Sequence, residues 1–357
     1  MCRSSMHRRP PLHNDGSMNS RVSRTTGIDY PLLVVTLLLS AFGVAMVYSS
    51  GQTDVPAARL ATLWQKQLVW LTLALVVAWV VSKASVRLIE WSAWPFYALA
   101  VSLLTVTLLF GSGAGTAESM KGWLTIGGTR LGQPSELAKV AVVLMLAKVL
   151  TGMRNTPRSL LDLWQPLLVV AVPWLLIMAQ PDLGTGLVFV GICFVMLFWF
   201  GVPWPLLVML ASPGISLVLA FSTGVWGAWF LILLALVFWY RPYLVEGVIL
   251  VVVNVVTGVV APLIWDRMPA YSQRRLLVFL DPSYDPRNAG YQVMQSQYAI
   301  GSGGITGKGF TLGTQKRLGF LPEHETDFIF AVVGEELGFI GVSVALALFL
   351  ALFFRCT

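Results

Sequence analysis

Ten apolar runs divide this chain, at about 30–49, 66–82, 91–110, 134–151, 164–180, 184–201, 204–221, 225–240, 243–265 and 327–354. A helix rises about 1.5 Å per residue, so runs of this length reach across, or nearly across, a hydrocarbon core roughly 30 Å thick. The pattern predicts an all-α polytopic membrane protein with about ten transmembrane helices. One long polar stretch interrupts the series. It runs over 266–326, between the ninth and tenth runs, with two Asp-Pro steps, the basic pair Arg274-Arg275 and a glycine-rich segment. It ends in the cluster Glu323, His324, Glu325 and Asp327, which leads straight into the tenth run.

Composition agrees with the pattern. The 357 residues are 56% hydrophobic and only 11% charged, against about a quarter charged in a soluble domain. The net charge of +7 fits the positive-inside bias and anionic lipid head groups better than nucleic acid. Three cysteines, Cys2, Cys193 and Cys356, give neither a disulfide framework nor metal-ligand spacing. Residues 1–28 hold five arginines among prolines and serines, which predicts a disordered basic cytoplasmic tail. The rest, 29–357, is expected to form the membrane domain.

With the N-terminus inside, alternation places Lys83, Arg87, Lys148, Arg154, Arg158 and Arg241 on the cytoplasmic face. The same alternation puts the polar stretch 266–326 outside, although it carries several arginines and lysines. A long loop translocates whatever its charge, and that is one reading. The other is a basic surface for a phosphate-bearing ligand at the outer leaflet.

Two shorter polar sites fall on the same side. In GQPSELAK, Pro134 suits the first helical position, and Glu136 with Lys139 stands at i,i+3, where the two can pair. The pair is either a helix-positioning bridge or a functional one. In QPDLGTG, Asp182 is placed to cap a helix or to face a ligand. Deeper in the tenth run lie Glu335 and Glu336. Glu335 is eight residues beyond Asp327 and so on the same broad helical stripe. An acid there needs a partner, Lys139 or another buried base is the expected one, and the role is either architectural or catalytic.

Four stretches together resemble one family: GQPSELAK at 132–139, QPDLGTG at 180–186, RRLLVFLDPSYDPRNAGYQVMQSQYAIGSGGITGKG at 274–309 and FLPEHETDFIFAVVGEELG at 320–338. They resemble the shape, elongation, division and sporulation family of bacterial cell-wall glycan polymerases, the FtsW/RodA/SpoVE family, with a closer likeness to its elongation branch. The resemblance implies a multi-pass protein of the bacterial cytoplasmic membrane, acting on its outer face in elongation and rod-shape maintenance. It implies a peptidoglycan glycosyltransferase using lipid II, a disaccharide-peptide on undecaprenyl pyrophosphate. The implied partners are a class B penicillin-binding protein and other elongation-complex membrane proteins, with no nucleic acid. By motif the essential aspartate is Asp327. Glu136, Lys139 and Asp182 match further sensitive positions. Where members usually carry His before Thr-Asp-Phe, this chain has Glu325. The family also continues for two more spans beyond the point matching Thr357, so the expectation is a C-terminally shortened bundle of uncertain activity.

The implied chemistry assigns roles. A sugar hydroxyl must attack an anomeric carbon that carries a lipid pyrophosphate. A carboxylate in hydrogen-bond reach serves as general base, which is the role of Asp327, with Glu325 and Glu335 supporting. The alternative for Asp327 is a helix cap. Arg275, Lys308, Lys316 or Arg317 would stabilise the leaving pyrophosphate, alone or with a divalent cation; no organic cofactor is expected. A single displacement inverts the anomeric centre. Two other functions stay open: a flippase or transporter of lipid-linked precursor, and an inactive scaffold of the elongation complex.

Overall fold

The computed structural model describes residues 29–54, 58–111, 122–126, 129–153, 155–268, 273–274, 277–278, 281–286, 290–321 and 325–356. The expected tail, 1–28, lies outside them, as do Arg275, Glu323 and His324.

Among the described residues, ten long helices occupy the ten apolar runs. They are α1 (Tyr30–Ser50), α3 (Leu63–Lys83), α4 (Val86–Phe110), α5 (Pro134–Gly152), α6 (Trp164–Ala179), α7 (Leu183–Trp199), α8 (Trp204–Leu219), α9 (Thr223–Tyr240), α10 (Leu244–Arg267) and α13 (Ile329–Cys356). A short α2 (Ala58–Ala61) precedes α3. Among the described residues, seven segments are long and apolar enough to cross a membrane, and α7 and α8 are shorter apolar helices. α5 is 19 residues long and carries Glu136, Lys139 and Lys148. The chain is a polytopic, helical membrane protein.

Two features depart from the expected simple loops. Before α5, β1 (Leu124–Ile126) pairs antiparallel with β2 (Thr129–Gly132), Thr125 opposite Arg130. The sequence between them is Gly127-Gly128, the dipeptide that a tight hairpin favours. Within the long polar stretch lie α11 (Tyr291–Gly303) and the single-turn α12 (Thr314–Arg317). Hydropathy finds neither, because both are polar.

The chain divides into two compact units, Leu73–Tyr291 and a second made of the residues up to Thr72 with Gln292–Thr357. In the first, α4 packs on α5 and α6, and α5 on α6 and α7. α5 buries Ala138, Ala141, Val142, Met145, Leu146 and Leu150, a stripe at helical spacing. Its alanines let backbones approach closely where apolar lipid gives no hydrophobic drive for association. α8 and α10 are clasped by polar groups instead. The Asn254 amide donates to Ser212 Oγ (2.8 Å) and accepts from the Ser216 hydroxyl (2.7 Å).

In the second unit α1 and α13 pack against each other, with Met46 buried against Val332 and Val333. Asp29 starts α1 by accepting from the Leu32 N–H at 3.2 Å, with proline in the first turn. Asp29 also pairs with Arg355 at the far end of α13, at 3.0 Å. Near the opposite end, Ser49 of α1 donates to Glu336 of α13. The helices therefore run antiparallel. Asp29 and Ser49 are 20 residues apart, about 30 Å along a helix, so polar clasps close the pair at roughly the two faces of a bilayer.

Candidate active site

α13 is not continuous. Gly338, with φ 63° and ψ −163°, breaks it two residues after Glu336. A break strands backbone groups, and buried strays are costly. Here the chain just beyond α11 takes them up. Lys308 N–H donates to Glu335 O (3.0 Å) and Gly309 N–H to Glu336 O (2.9 Å), while Phe339 and Ile340 donate to Gly304 O and Ile305 O. The glycine-rich segment is needed for this fit. A Cβ on Gly303 would stand 1.9 Å from Gly334 O, and one on Gly307 would stand 2.1 Å from Glu336 O. Gly307 also has φ 78°, a left-handed conformation that glycine adopts at no steric cost.

The side chains of Glu335 and Glu336 then clamp the following turn. Glu335 is buried and accepts from Lys308 Nζ (2.7 Å), Thr314 N (2.8 Å), Thr314 Oγ1 (2.9 Å) and Gln315 N (3.1 Å). Glu336 accepts from the Ser49 hydroxyl and Gly313 N (3.3 Å) and pairs with Lys316. Lys316 has no exposed surface, and its ammonium also donates to Ser49 O and Ser49 Oγ (2.7 Å). Burial pulls that ammonium below the usual lysine range, and the Glu336 carboxylate opposes the pull. The result is a closed polar network joining α1, α12 and α13.

This arrangement corrects several expectations. Lys316, expected to face a pyrophosphate, is enclosed with Glu336 and Ser49, so it serves the fold. Of the expected partners of Glu335, Lys139 or another base, the structure gives Lys308. Lys308, another expected phosphate ligand, is partly exposed but shared between Glu335 and Thr314 Oγ1 (2.8 Å). Arg317 stays at the surface, held to Asp54 at 2.8 Å with both side chains substantially exposed. Ser49 and Asp54 carried no sequence signal. The adjacent acids Glu335 and Glu336 did signal buried partners, and hydropathy could not say which.

Asp327 is exposed in the turn at 325–328, two residues ahead of α13. Phe328 behind it packs on a small cluster of Ala299, Leu321 and Ala331. Glu325 is half-buried in the same turn. The turn thus places one carboxylate in the open on an anchored support.

The remaining candidates lie in the Leu73–Tyr291 unit. Lys139 and Glu136 pair at 2.7 Å near the start of α5, with Glu136 more than half exposed and Lys139 partly buried. Asp182 is buried and caps α7, accepting from Thr185 N at 3.1 Å, with Gln133 Nε2 at 3.4 Å. The capping role is thus realised. Among the described residues no group of three or more His, Cys, Asp or Glu side chains is assembled that could hold a metal ion.

The sequence model of the FtsW/RodA/SpoVE family, described as cell cycle protein, matches residues 30–235 and 224–357. The chain is 32% identical over 329 residues to the peptidoglycan glycosyltransferase MrdB of Escherichia coli K12, covering 92% of this chain and 74% of that protein. It is 31% identical to the peptidoglycan glycosyltransferase RodA of Treponema pallidum, over 93% of this chain and 82% of that one. Stage V sporulation protein E of Bacillus subtilis is 31% identical over 93% of this chain and 79% of its own length. Among solved structures, it resembles a chain of a peptidoglycan synthase complex that coordinates polymerization and crosslinking. That likeness has a TM-score of 0.64 and 27% identity, covering 92% of this chain and 76% of that one. The fold is also that of the rod shape determining protein RodA of Thermus thermophilus, with a TM-score of 0.51, over 92% of this chain and 73% of that one at 23% identity. With its apolar helices, its matched motifs and these relatives, the chain belongs to the FtsW/RodA/SpoVE family of cell cycle proteins.

Proposed function

We propose that this chain is a peptidoglycan glycosyltransferase that extends glycan strands from lipid II, with Asp327 as general base. The observation that carries the reading is the exposed Asp327 carboxylate, set on an anchored turn at the mouth of α13 in a family with relatives named peptidoglycan glycosyltransferase. The acceptor hydroxyl gives its proton to Asp327 as its oxygen bonds to the anomeric carbon of the donor. The bond to the lipid pyrophosphate breaks with its electron pair leaving on the phosphate oxygen. One displacement inverts the anomeric centre. General base catalysis of this kind contributes about 10²–10⁴-fold.

Arg317 suits the leaving pyrophosphate, because its pair with Asp54 is exposed on both sides and such pairs hold weakly. Lys308 contributes charge from its place beside Glu335, and Arg275 belongs to the same reading by motif. Glu136 and Lys139 offer an exposed polar pair at the outer end of α5, suited to sugar hydroxyls. The site then faces the outside of the cytoplasmic membrane, with the N-terminus within. The likeness to a synthase complex supports a crosslinking partner, a class B penicillin-binding protein, and the elongation role follows the MrdB and RodA relatives.

The break in α13 is a feature that transporters also use. Here its carbonyls are filled by Lys308 and Gly309 N–H groups, which speaks against an ion or substrate site there. The deciding experiment is Asp327→Asn with purified protein and lipid II. Glycan synthesis is expected to fall at least 10²-fold while lipid II binding stays. Polymerisation at the wild-type rate would end the base assignment.

A further inference from the structure

α9 and α10 are joined by Arg241-Pro242-Tyr243 alone, yet each packs chiefly on α8 and only lightly on the other. A groove of about 680 Å³ is left between them. Its walls are stripes at helical spacing, Leu234, Val237 and Arg241 on one side and Leu244, Gly247 and Val251 on the other. Each stripe runs about 10 Å along its helix. The groove thus starts at the membrane edge beside Arg241 and reaches into one leaflet of a hydrocarbon core roughly 30 Å thick. A partner transmembrane helix would pack along a full span. Two turns of groove headed by a cation suit an acyl chain and its head group instead.

Arg241 has φ 53° and ψ 59°. A left-handed residue after a helix is ordinarily glycine, and a larger one there is strained. The helix dipole accounts for a positive charge at the end of α9, but not for its place over a groove. Arg241 is exposed and, among the described residues, forms no ion pair and no side-chain hydrogen bond. Acids at this end are spent on backbone. The buried Glu246 carboxylate accepts from the Leu160 and Leu161 N–H groups at 3.3 and 3.2 Å, and Asp162 accepts from those of Arg158 and Ser159 at 3.1 Å. The Tyr240 hydroxyl donates to Arg158 O at 3.1 Å, which brings a second exposed arginine to the same end. Tyr243 caps α10 with no side-chain hydrogen bond, and an uncapped helix start attracts anions.

We infer that the α9–α10 groove binds a phospholipid with an anionic head group. Arg241 pairs with the phosphate through its fork of N–H donors, and an acyl chain lies along Val237 and Gly247. The missing side chain of Gly247 leaves the room, since a Cβ there would already stand 3.5 Å from Val237 Cγ1. The proposed orientation puts this end at the cytoplasmic leaflet, where anionic lipids collect and basic pockets between helices hold their head groups. The site uses none of the glycosyl-transfer residues and holds whether or not that reading does.

Native mass spectrometry of the full chain in detergent, titrated with dioleoyl phosphatidylglycerol or dioleoyl phosphatidylcholine, tests it. The wild type is expected to retain one phosphatidylglycerol at a roughly tenfold lower lipid concentration than phosphatidylcholine. Arg241→Gln keeps the backbone demand, removes the charge and should make retention of the two lipids equal. Gly247→Leu fills the groove and should abolish retention of both. Phosphatidylglycerol should raise the thermal unfolding midpoint of the wild type and of neither variant, while without lipid all three unfold alike.

Equal retention of the two lipids by the wild type overturns the inference. So does a phosphatidylglycerol preference that survives Arg241→Gln, or lipid retained undiminished by Gly247→Leu. A dimer peak that Gly247→Leu removes would put a second copy of the chain in the groove and overturn it as well. If Gly247→Leu proves unfolded, the Arg241→Gln comparison decides alone.

Discussion

The α4–α10 region and the α1–α13 unit are both helical and apolar on average, yet different forces hold them. In the first, aliphatic side chains and alanines meet, and where a Cβ would collide, as at Gly258, it meets the Trp226 side chain, while the exposed Gly191 in α7 has no neighbouring element within 4 Å. In the second, backbone meets backbone at Gly303, Gly307 and Gly338, and the buried Glu335 and Glu336 are each matched by a lysine. A hydrocarbon-packed region absorbs change through small side-chain shifts. A region matched in backbone and charge has no such slack.

The sharpest way to break the contrast is glycine substitution. Gly303→Ala drives a Cβ into Gly334 O, an overpacking expected to cost about 3 kcal/mol in thermal unfolding of the detergent-solubilised protein. Gly191→Ala should leave the stability unchanged or raise it by up to about 1 kcal/mol. Equal tolerance at both positions would erase the difference between the regions.

Removal of one charge comes next. Lys316→Met leaves Glu336 buried without its cation and is expected to cost about 3–5 kcal/mol. Glu136→Gln breaks an exposed i,i+3 pair on α5 and should cost under about 1 kcal/mol. Chemical denaturation of the two variants side by side checks the ratio.

The α8–α10 clasp gives an intermediate case, because it is polar yet lies within the aliphatic region. Asn254→Leu removes its hydrogen bonds to Ser212 and Ser216, an effect expected at about 0.6–1.7 kcal/mol within a membrane. A loss as large as that of Lys316→Met would show that polarity, more than charge, sets the scale.

The smallest effect is at the Asp29–Arg355 clasp. The hydrogen bond from Arg355, and then the Leu32 N–H, hold the Asp29 carboxyl below its ordinary value of 3.8. A lowered folded pKa means the contribution is complete above the unfolded value and is lost as pH falls through the folded one. Stability measured against pH should therefore show a small acid-side decline below about pH 4 that Asp29→Asn lacks.

The surroundings of some candidate residues were legible from the sequence. The Glu136–Lys139 pair follows from i,i+3 spacing alone, and the Asp182 cap from an aspartate ahead of Leu-Gly-Thr. Asp327 stood out by its place at the start of an apolar run. The partners of Lys308, Lys316 and Glu335 were not legible. Lys316 and Ser49 are 267 residues apart, and nothing in local periodicity links them. α11 and α12 were read as loop because their polar faces hide them from a hydropathy pattern.

The sequence by itself determined the ten helices and their near-boundaries, since a bilayer demands long apolar runs and satisfied backbones whatever the partner. It also determined the family, through motifs concentrated in the glycine-rich segment and the entry to α13. Tertiary structure alone decided that α13 breaks at Gly338 and that the polar chain beyond α11 repairs the break. It likewise decided that one loop lysine is locked inside while Arg317 stays at the surface. Those outcomes depend on which backbone groups and charges come within about 3 Å of each other, a matter of packing between distant segments.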